Sequence, residues 1–120
     1  MAYTILQNKK NLSVVIHADA NTTLTIAGNS SVSNVATSDE ILTGAAIKQV
    51  WYGSESGFWK VLRGSNTVCV YDSTGWIDYA GSGVMLTKDV GATLVLQLNG
   101  TANGYIMVEL QKIGNFTSTY

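Results

Sequence analysis

The stretch AIKQVWYGSESGFWKVLRGSNTVCVYDSTGWIDY, from Ala46 to Tyr79, decides the fold of this chain. It contains all three tryptophans, and Gly, Ser and Asn interrupt it at short intervals. Aromatic and β-branched residues favour a pleated, half-buried surface, while Gly and Asn supply the turns between strands. The stretch therefore predicts a β-meander on which the rest of the chain packs. Its strands are predicted at 46–52, 58–63, 67–72 and 76–80, with turns at 54–57, 64–66 and 73–75.

Alternating apolar residues predict further strands on both sides of the meander. Residues 12–17 alternate with a strand period, and Leu24 and Ile26 continue the pattern as the second arm of a hairpin. A second hairpin is predicted from the alternating segments 94–98 and 106–110. The linker AsnGlyThrAlaAsnGly joins these two segments, and AsnGly accepts the positive φ angles that tight hairpin turns require.

Two long loops, at 28–38 and 81–91, separate these groups of strands. Thr37 and Glu40 have the spacing of a capping box, which predicts one helical turn from Ser38 to Thr43. About eight short strands with almost no helix are typical of a sandwich or barrel. We therefore predict an all-β protein, in which residues 1–120 form one antiparallel, jelly-roll-like β-sandwich domain.

Low charge is the main feature of the composition. The net charge is -1 and only 12% of the 120 residues are charged, about half the usual share of about 25%. Near-neutral surfaces associate readily, which predicts a subunit of an assembly and a homo-oligomer. There is no proline and the basic residues are scattered, so sheet edges should have few guards against pairing with other chains.

Several classes of partner are excluded by what the sequence does not contain. Nucleic acid is not an expected partner because no basic stripe is present. A membrane is not expected because no apolar run is long enough to span one. No basic segment leads into an apolar one at the start, so we expect synthesis in a cytoplasm without secretion.

No set of residues indicates catalysis, a metal or a cofactor. His17 is the single histidine and is expected to be a surface or hydrogen-bonded structural residue rather than a catalytic one. Cys69 lies in an apolar run and is expected to be a buried thiol, because a reactive nucleophile would need a base nearby. The segment Asp72 to Gly75 resembles an aspartic-protease motif with one residue inserted, but it has no second copy and is expected to form a β-turn. The prediction is a protein that is not an enzyme.

The aromatic residues divide into a core set and an exposed set. Strict alternation places Trp51 with Ile47 and Trp59 with Val61, which predicts that most of the rings are buried. Exposed aromatic patches mark partner surfaces or platforms on which sugars stack. The residues predicted to contact a partner are Tyr52, Phe58 and Trp76 in this patch, Asn29 and Val32 in the first loop, and Phe116 and Tyr120 in the C-terminal tail.

A resemblance adds to this interpretation. Residues 44–113, with the Ala46–Tyr79 stretch, a LeuXaaLeu strand, AsnGly and TyrIleMetValGluLeuGlnLysIle, resemble small virion proteins of tailed bacteriophages, in particular those of marine cyanobacterial phages. The resemblance implies a virion structural protein, a capsid decoration or cement protein that binds the major capsid protein lattice or other virion subunits. It carries over no catalytic residue. A carbohydrate-binding β-sandwich module, or a tail or neck subunit of the virion, is the alternative.

Overall fold

The computed structural model describes residues 3–83, 85–100 and 103–114, and within them it contains strands and no helix. The strands form one antiparallel sheet that curls into a half-barrel, which confirms the all-β antiparallel prediction. The strands are β1 Tyr3–Asn8, β2 Ser13–Ala18, β3 Thr22–Leu24, β4 Leu42–Arg63, β5 Asn66–Asp78, β6 Leu94–Asn99 and β7 Gly104–Gly114.

Strand β4 organises the sheet because its 22 residues pair along both edges. On one edge it pairs with β5, from Gln49 to Arg63. On the other edge it pairs first with β7, over Leu42 to Ser54, and then with β6, over Phe58 to Arg63. The remaining strands extend the sheet to the order β1-β2-β7-β4-β6-β3, with β5 branching from β4.

The predicted four-strand meander is therefore two long strands. The turn predicted at 64–66 is confirmed in position, since Gly64 and Ser65 connect β4 to β5. The turns predicted at 54–57 and 73–75 are wrong, because the chain continues through both as irregular strand and the register shifts between Gly53 and Phe58. Seven strands replace the expected eight, and a jelly-roll sandwich is not confirmed.

Both predicted hairpins are wrong in their pairing, although their strands are present. Strand β2 pairs with β1 and β7, while β3 pairs with β6. Strands β6 and β7 follow each other along the same edge of β4. The link between them passes close to β4 at Gly100, which has a φ of 84° and whose added Cβ would lie 3.4 Å from Gly57 Cα. Residues 101 and 102 of the predicted hairpin turn lie outside the described residues.

The helical turn predicted over 38–43 is also wrong, since β4 begins at Leu42 and includes Gly44. One of the two capping-box contacts, from the Glu40 side chain to the Thr37 N–H, nevertheless forms without a helix. Glu40 Oε1 accepts hydrogen bonds from the backbone N–H of Thr37 at 2.6 Å and from its hydroxyl at 2.7 Å. The carboxylate thus stabilises a tight turn that leads into β4.

One apolar core fills the inside of the curled sheet. Trp59 and Val61 are fully buried on the same face, as predicted. The indole Nε1 of Trp59 donates a hydrogen bond to the carbonyl of Gly53 at 3.0 Å, so the buried ring has its polar atom satisfied. The first loop contributes the fully buried Val35 to the same core.

Candidate functional site

The structure separates the predicted contact residues. Trp76 is 58% exposed on β5, in agreement with the predicted exposed set, whereas Phe58 on β4 is only half-buried. Tyr52 is wrong as a surface residue, because it packs against the core and stacks on Tyr71 with the ring centroids 4.8 Å apart. Phe116 and Tyr120 lie outside the described residues.

Hydrogen bonds between its own residues give the first loop, residues 28–38, a defined conformation. Asn29 is exposed, and its side-chain oxygen accepts hydrogen bonds from the N–H of Ser31 at 3.1 Å and from its hydroxyl at 2.6 Å. The carbonyl of Asn29 accepts from the N–H of Val32 at 3.0 Å. Val32, 60% exposed, is presented at the surface by this turn. Asn29 therefore holds the turn, and Val32 is the side chain available to a partner.

An aromatic row crosses the outer face of the sheet, the face opposite the core. In the register of the ladder, His17 on β2 lies opposite Met107 on β7, Met107 lies opposite Trp51 on β4, and Trp51 lies opposite Trp76 on β5. Tyr105 lies beside this line and stacks on His17, with centroids 6.2 Å apart and the planes 5° from parallel. We call these five residues the aromatic row.

Trp76 is exposed but held in position. Its ring stacks on Trp51 with centroids 6.5 Å apart and an interplanar angle of 12°. Its Nε1 donates a hydrogen bond to Gln49 Oε1 at 3.1 Å, and Gln49 Nε2 donates to Glu109 Oε1 at 2.5 Å. Lys48 Nζ lies 4.0 Å from Glu109 Oε2 and completes the polar group beside the row. Stacking and the hydrogen-bond chain together fix the orientation of the indole.

Gly53 makes room for Tyr105. A Cβ built at Gly53 would lie 2.4 Å from Cε1 of the Tyr105 ring, so the ring lies directly over the glycine backbone. A glycine opposite an aromatic residue on a neighbouring strand allows the ring to lie flat on the sheet. This contact helps to keep Tyr105 stacked on His17.

The sequence identified Trp76 but missed the other members of the aromatic row. Trp51 was expected to share a face with Ile47, but the ladder shifts register between Ile47 and Gln49. The bulge turns Trp51 outward, while Ile47 is 1% exposed in the core. His17 is half-buried on the outer face, which agrees with its prediction as a structural residue on the more polar face. The sequence of one strand cannot indicate that Met107 and Trp51 are neighbours, because their contact depends on how β7 pairs with β4.

The residues considered for catalysis do not form an active site. Cys69 is a free thiol that packs against the core with its Sγ 3.3 Å from the hydroxyl of Tyr79, so the predicted buried thiol is only partly buried. That hydroxyl also lies 2.8 Å from the hydroxyl of Tyr71. Burial raises the pKa of Tyr79 to about 12 and moves the pKa of Tyr71 further upward still. Neutral phenols at this position are structural groups.

The turn predicted at Asp72–Gly75 is wrong, because these residues continue β5 and Asp72 lies opposite Phe58. Within the described ranges, no three His, Cys, Asp or Glu side chains are grouped so that they could hold a metal ion. Among the same residues, no helix is long and apolar enough to cross a membrane.

Three charged side chains are buried inside the protein. Lys112 Nζ donates to Glu40 Oε1 at 2.8 Å, and both side chains are fully buried. Arg63, 1% exposed, donates from Nη1 to the carbonyl of Ala45 at 2.6 Å and from Nη2 to the carbonyls of Val90 and Ala92. Burial lowers the pKa of Arg63, although the negative charge of Asp89 opposes this shift. The guanidinium therefore fastens the second long loop to β4.

The prediction that sheet edges have few guards against pairing with other chains is wrong, because bulges and short strands protect these edges. On the edge strand β1, Leu6 is an extra residue opposite the step from Val15 to Ile16 on β2. On β5, Val68 is an extra residue opposite the step from Val61 to Leu62 on β4, and Ser73 has a φ of 65°. The third edge strand, β3, has three residues. Bulges and short strands hinder pairing with another chain.

Comparisons with protein-family models, with curated proteins and with solved structures found no match for this chain.

Proposed function

We propose that the protein is a non-enzymatic structural subunit of a tailed-bacteriophage virion. In this proposal it is a capsid decoration or cement protein that binds the major capsid protein lattice as one of many copies and stabilises the head. Its partners are then the major capsid protein, other virion subunits and further copies of itself. The fold of this subunit is the curled sheet described above and not the jelly-roll-like sandwich predicted from the sequence.

The observation that supports this proposal most is the distribution of exposed apolar side chains. Besides the aromatic row, Val32 projects from the first loop. A third surface, the apolar end of the sheet, combines Leu12, Ile41 and Ile113, which are 47%, 56% and 38% exposed. Their backbones meet there, since the N–H of Lys112 bonds to the carbonyl of Leu12 at 2.9 Å and Leu42 pairs with Gly114. A lattice subunit needs several modest contacts of this kind, which symmetry multiplies.

The test is binding to phage heads that lack this protein. We expect purified protein to bind such heads in many copies per particle, as counted by quantitative mass spectrometry. Ile41→Ser should weaken this binding, whereas Thr43→Ser, a conservative change at a nearby exposed site, should leave it unchanged. A protein that remains monomeric at high concentration and does not bind the heads would contradict the proposal. A tail or neck subunit would instead bind tail or neck assemblies in the same experiment.

A second candidate function is carbohydrate binding. The specific observation that favours it is an exposed tryptophan held in place beside amide and carboxylate groups. Aromatic side chains with a few placed polar groups are common features of ligand sites. Such a module would also suit a virion, as a surface that recognises host glycans.

A further inference from the structure

We propose that the aromatic row is a carbohydrate-binding platform on which pyranose rings stack against Trp76 and its neighbours. The inference rests on the second candidate function and assigns it to particular residues. It does not require that the protein belongs to a virion. Its partner class is an oligosaccharide with exposed ring faces and hydroxyl groups.

Trp76 is held in one orientation although its side chain is exposed. An indole without such restraints would lose rotamer freedom when a ligand binds, and that loss weakens binding. Here the stack on Trp51 and the hydrogen bond to Gln49 have already restricted the ring before any ligand arrives. A preorganised, exposed aromatic face is suited to binding.

The second argument is that hydroxyl-binding groups lie beside the ring. Gln49 donates one amide hydrogen to Glu109, and its second amide hydrogen can donate to a ligand. The Glu109 carboxylate has further acceptor sites, and the Lys48 ammonium has further donors. A sugar presents apolar ring faces together with hydroxyl donors and acceptors, which matches this combination of groups.

The third argument concerns size. The row spans four adjacent strands, a width of about 14 Å at about 4.8 Å per strand. Its five side chains expose on the order of 300 Å², because a large aromatic side chain has about 150–250 Å² of surface, Trp76 is 58% and Tyr105 39% exposed, and the other three are half-buried. A standard protein interface removes about 800 Å² from each partner. The row is smaller than one standard protein interface and is large enough for a short oligosaccharide.

The test is isothermal titration with soluble hexasaccharides of β-1,4-linked glucose, β-1,4-linked N-acetylglucosamine and α-linked mannose, together with a printed array of bacterial glycans. We expect the wild type to bind at least one of these probes. Trp76→Ala should weaken that binding about tenfold or more, because it removes the stacking face. Val70→Ala is the matched control, since Val70 lies on the same strand, is 56% exposed and is outside the row.

Two further variants separate stacking from plain apolar contact. Trp76→Tyr keeps an aromatic face and should retain most of the affinity, whereas Trp76→Leu should lose it. Equal binding of a glycan probe by Trp76→Leu and wild type would overturn the proposal. So would a folded wild-type protein that binds none of the probes, or equal weakening by Trp76→Ala and Val70→Ala. Binding to phage heads without any glycan binding would overturn this inference and leave the structural-subunit proposal intact.

Discussion

The buried ion pair between Glu40 and Lys112 leads to a quantitative prediction about stability. Both side chains are fully buried, and the ammonium also donates to Asn8 Oδ1 at 2.5 Å. Glu40 accepts further hydrogen bonds from Thr37 and from the backbone N–H of Asn11. The pair joins the turn before β4 to the end of β7 and the β1–β2 connection, so replacing one partner affects three segments.

The perturbation is Lys112→Met, which keeps an unbranched side chain but removes the charge. Loss of one partner of a buried pair costs about 3–5 kcal/mol, because the remaining charge is left uncompensated. The pKa of Glu40 agrees in direction, because the folded protein stabilises the charged carboxylate. Burial raises this pKa, but hydrogen bonds with Lys112, Thr37 and Asn11 outweigh burial and lower it from 4.5 to about 2. A pKa lowered by this much in the folded state contributes about 3 kcal/mol to the free energy of unfolding at neutral pH.

The sign of the pH dependence follows from the lowered pKa. Because the carboxylate is more acidic in the folded state, its contribution is fully present above about pH 4.5 and is lost as the pH falls towards about 2. Urea unfolding of the wild type should therefore show a decline in the free energy of unfolding over this range. Glu40→Gln, which does not titrate, should lack this part of the decline.

Asp39→Asn is the matched control for both measurements. Asp39 is adjacent in sequence, but its side chain is 85% exposed and its contact with Lys10 is 3.7 Å long, so its replacement should cost less than about 0.5 kcal/mol. The double variant Glu40→Gln/Lys112→Met should lose less free energy of unfolding than the sum of the losses in the two single variants, because the two sites interact directly. A cost below about 1 kcal/mol for Lys112→Met, or the same acid profile for Glu40→Gln and wild type, would refute the reasoning.

Three other predictions concern groups elsewhere in the fold. Arg63→Met should lower the free energy of unfolding by about 3 kcal/mol in urea and speed amide exchange over 85–92, because three carbonyls each lose a hydrogen bond from the guanidinium. Gly53→Ala should displace the Tyr105 ring and change its NMR shifts, whereas Gly53→Ala in a Tyr105→Ala background should cause little further change. Tyr71 and Tyr79 should remain protonated at about pH 11 by ultraviolet absorbance, and stability should fall above about pH 10, where the unfolded phenols ionise first.

The sequence predicted where strands lie better than which strands pair. Alternation at Leu94, Leu96 and Leu98 correctly placed β6, because one side of that strand faces the core whatever its partner is. The partner was wrong because a hairpin turn signal is local, whereas β4 is long enough to pair with two strands in succession. The site was predicted only in part for a related reason. Trp76 was recognised as exposed, but the bulge that turns Trp51 outward has no signal in the alternation.

Low charge in the composition has a different consequence once the structure is known. Of the seven basic and eight acidic residues, Glu40, Arg63 and Lys112 are buried. The surface is therefore less charged than the composition indicates, and repulsion between copies is weak. Bulges on β1 and β5 and the shortness of β3 hinder edge pairing in place of charge. Contacts in the proposed assembly should therefore use the first loop and the apolar end of the sheet, so Ile41→Ser should disturb that assembly more than added charge on an edge strand.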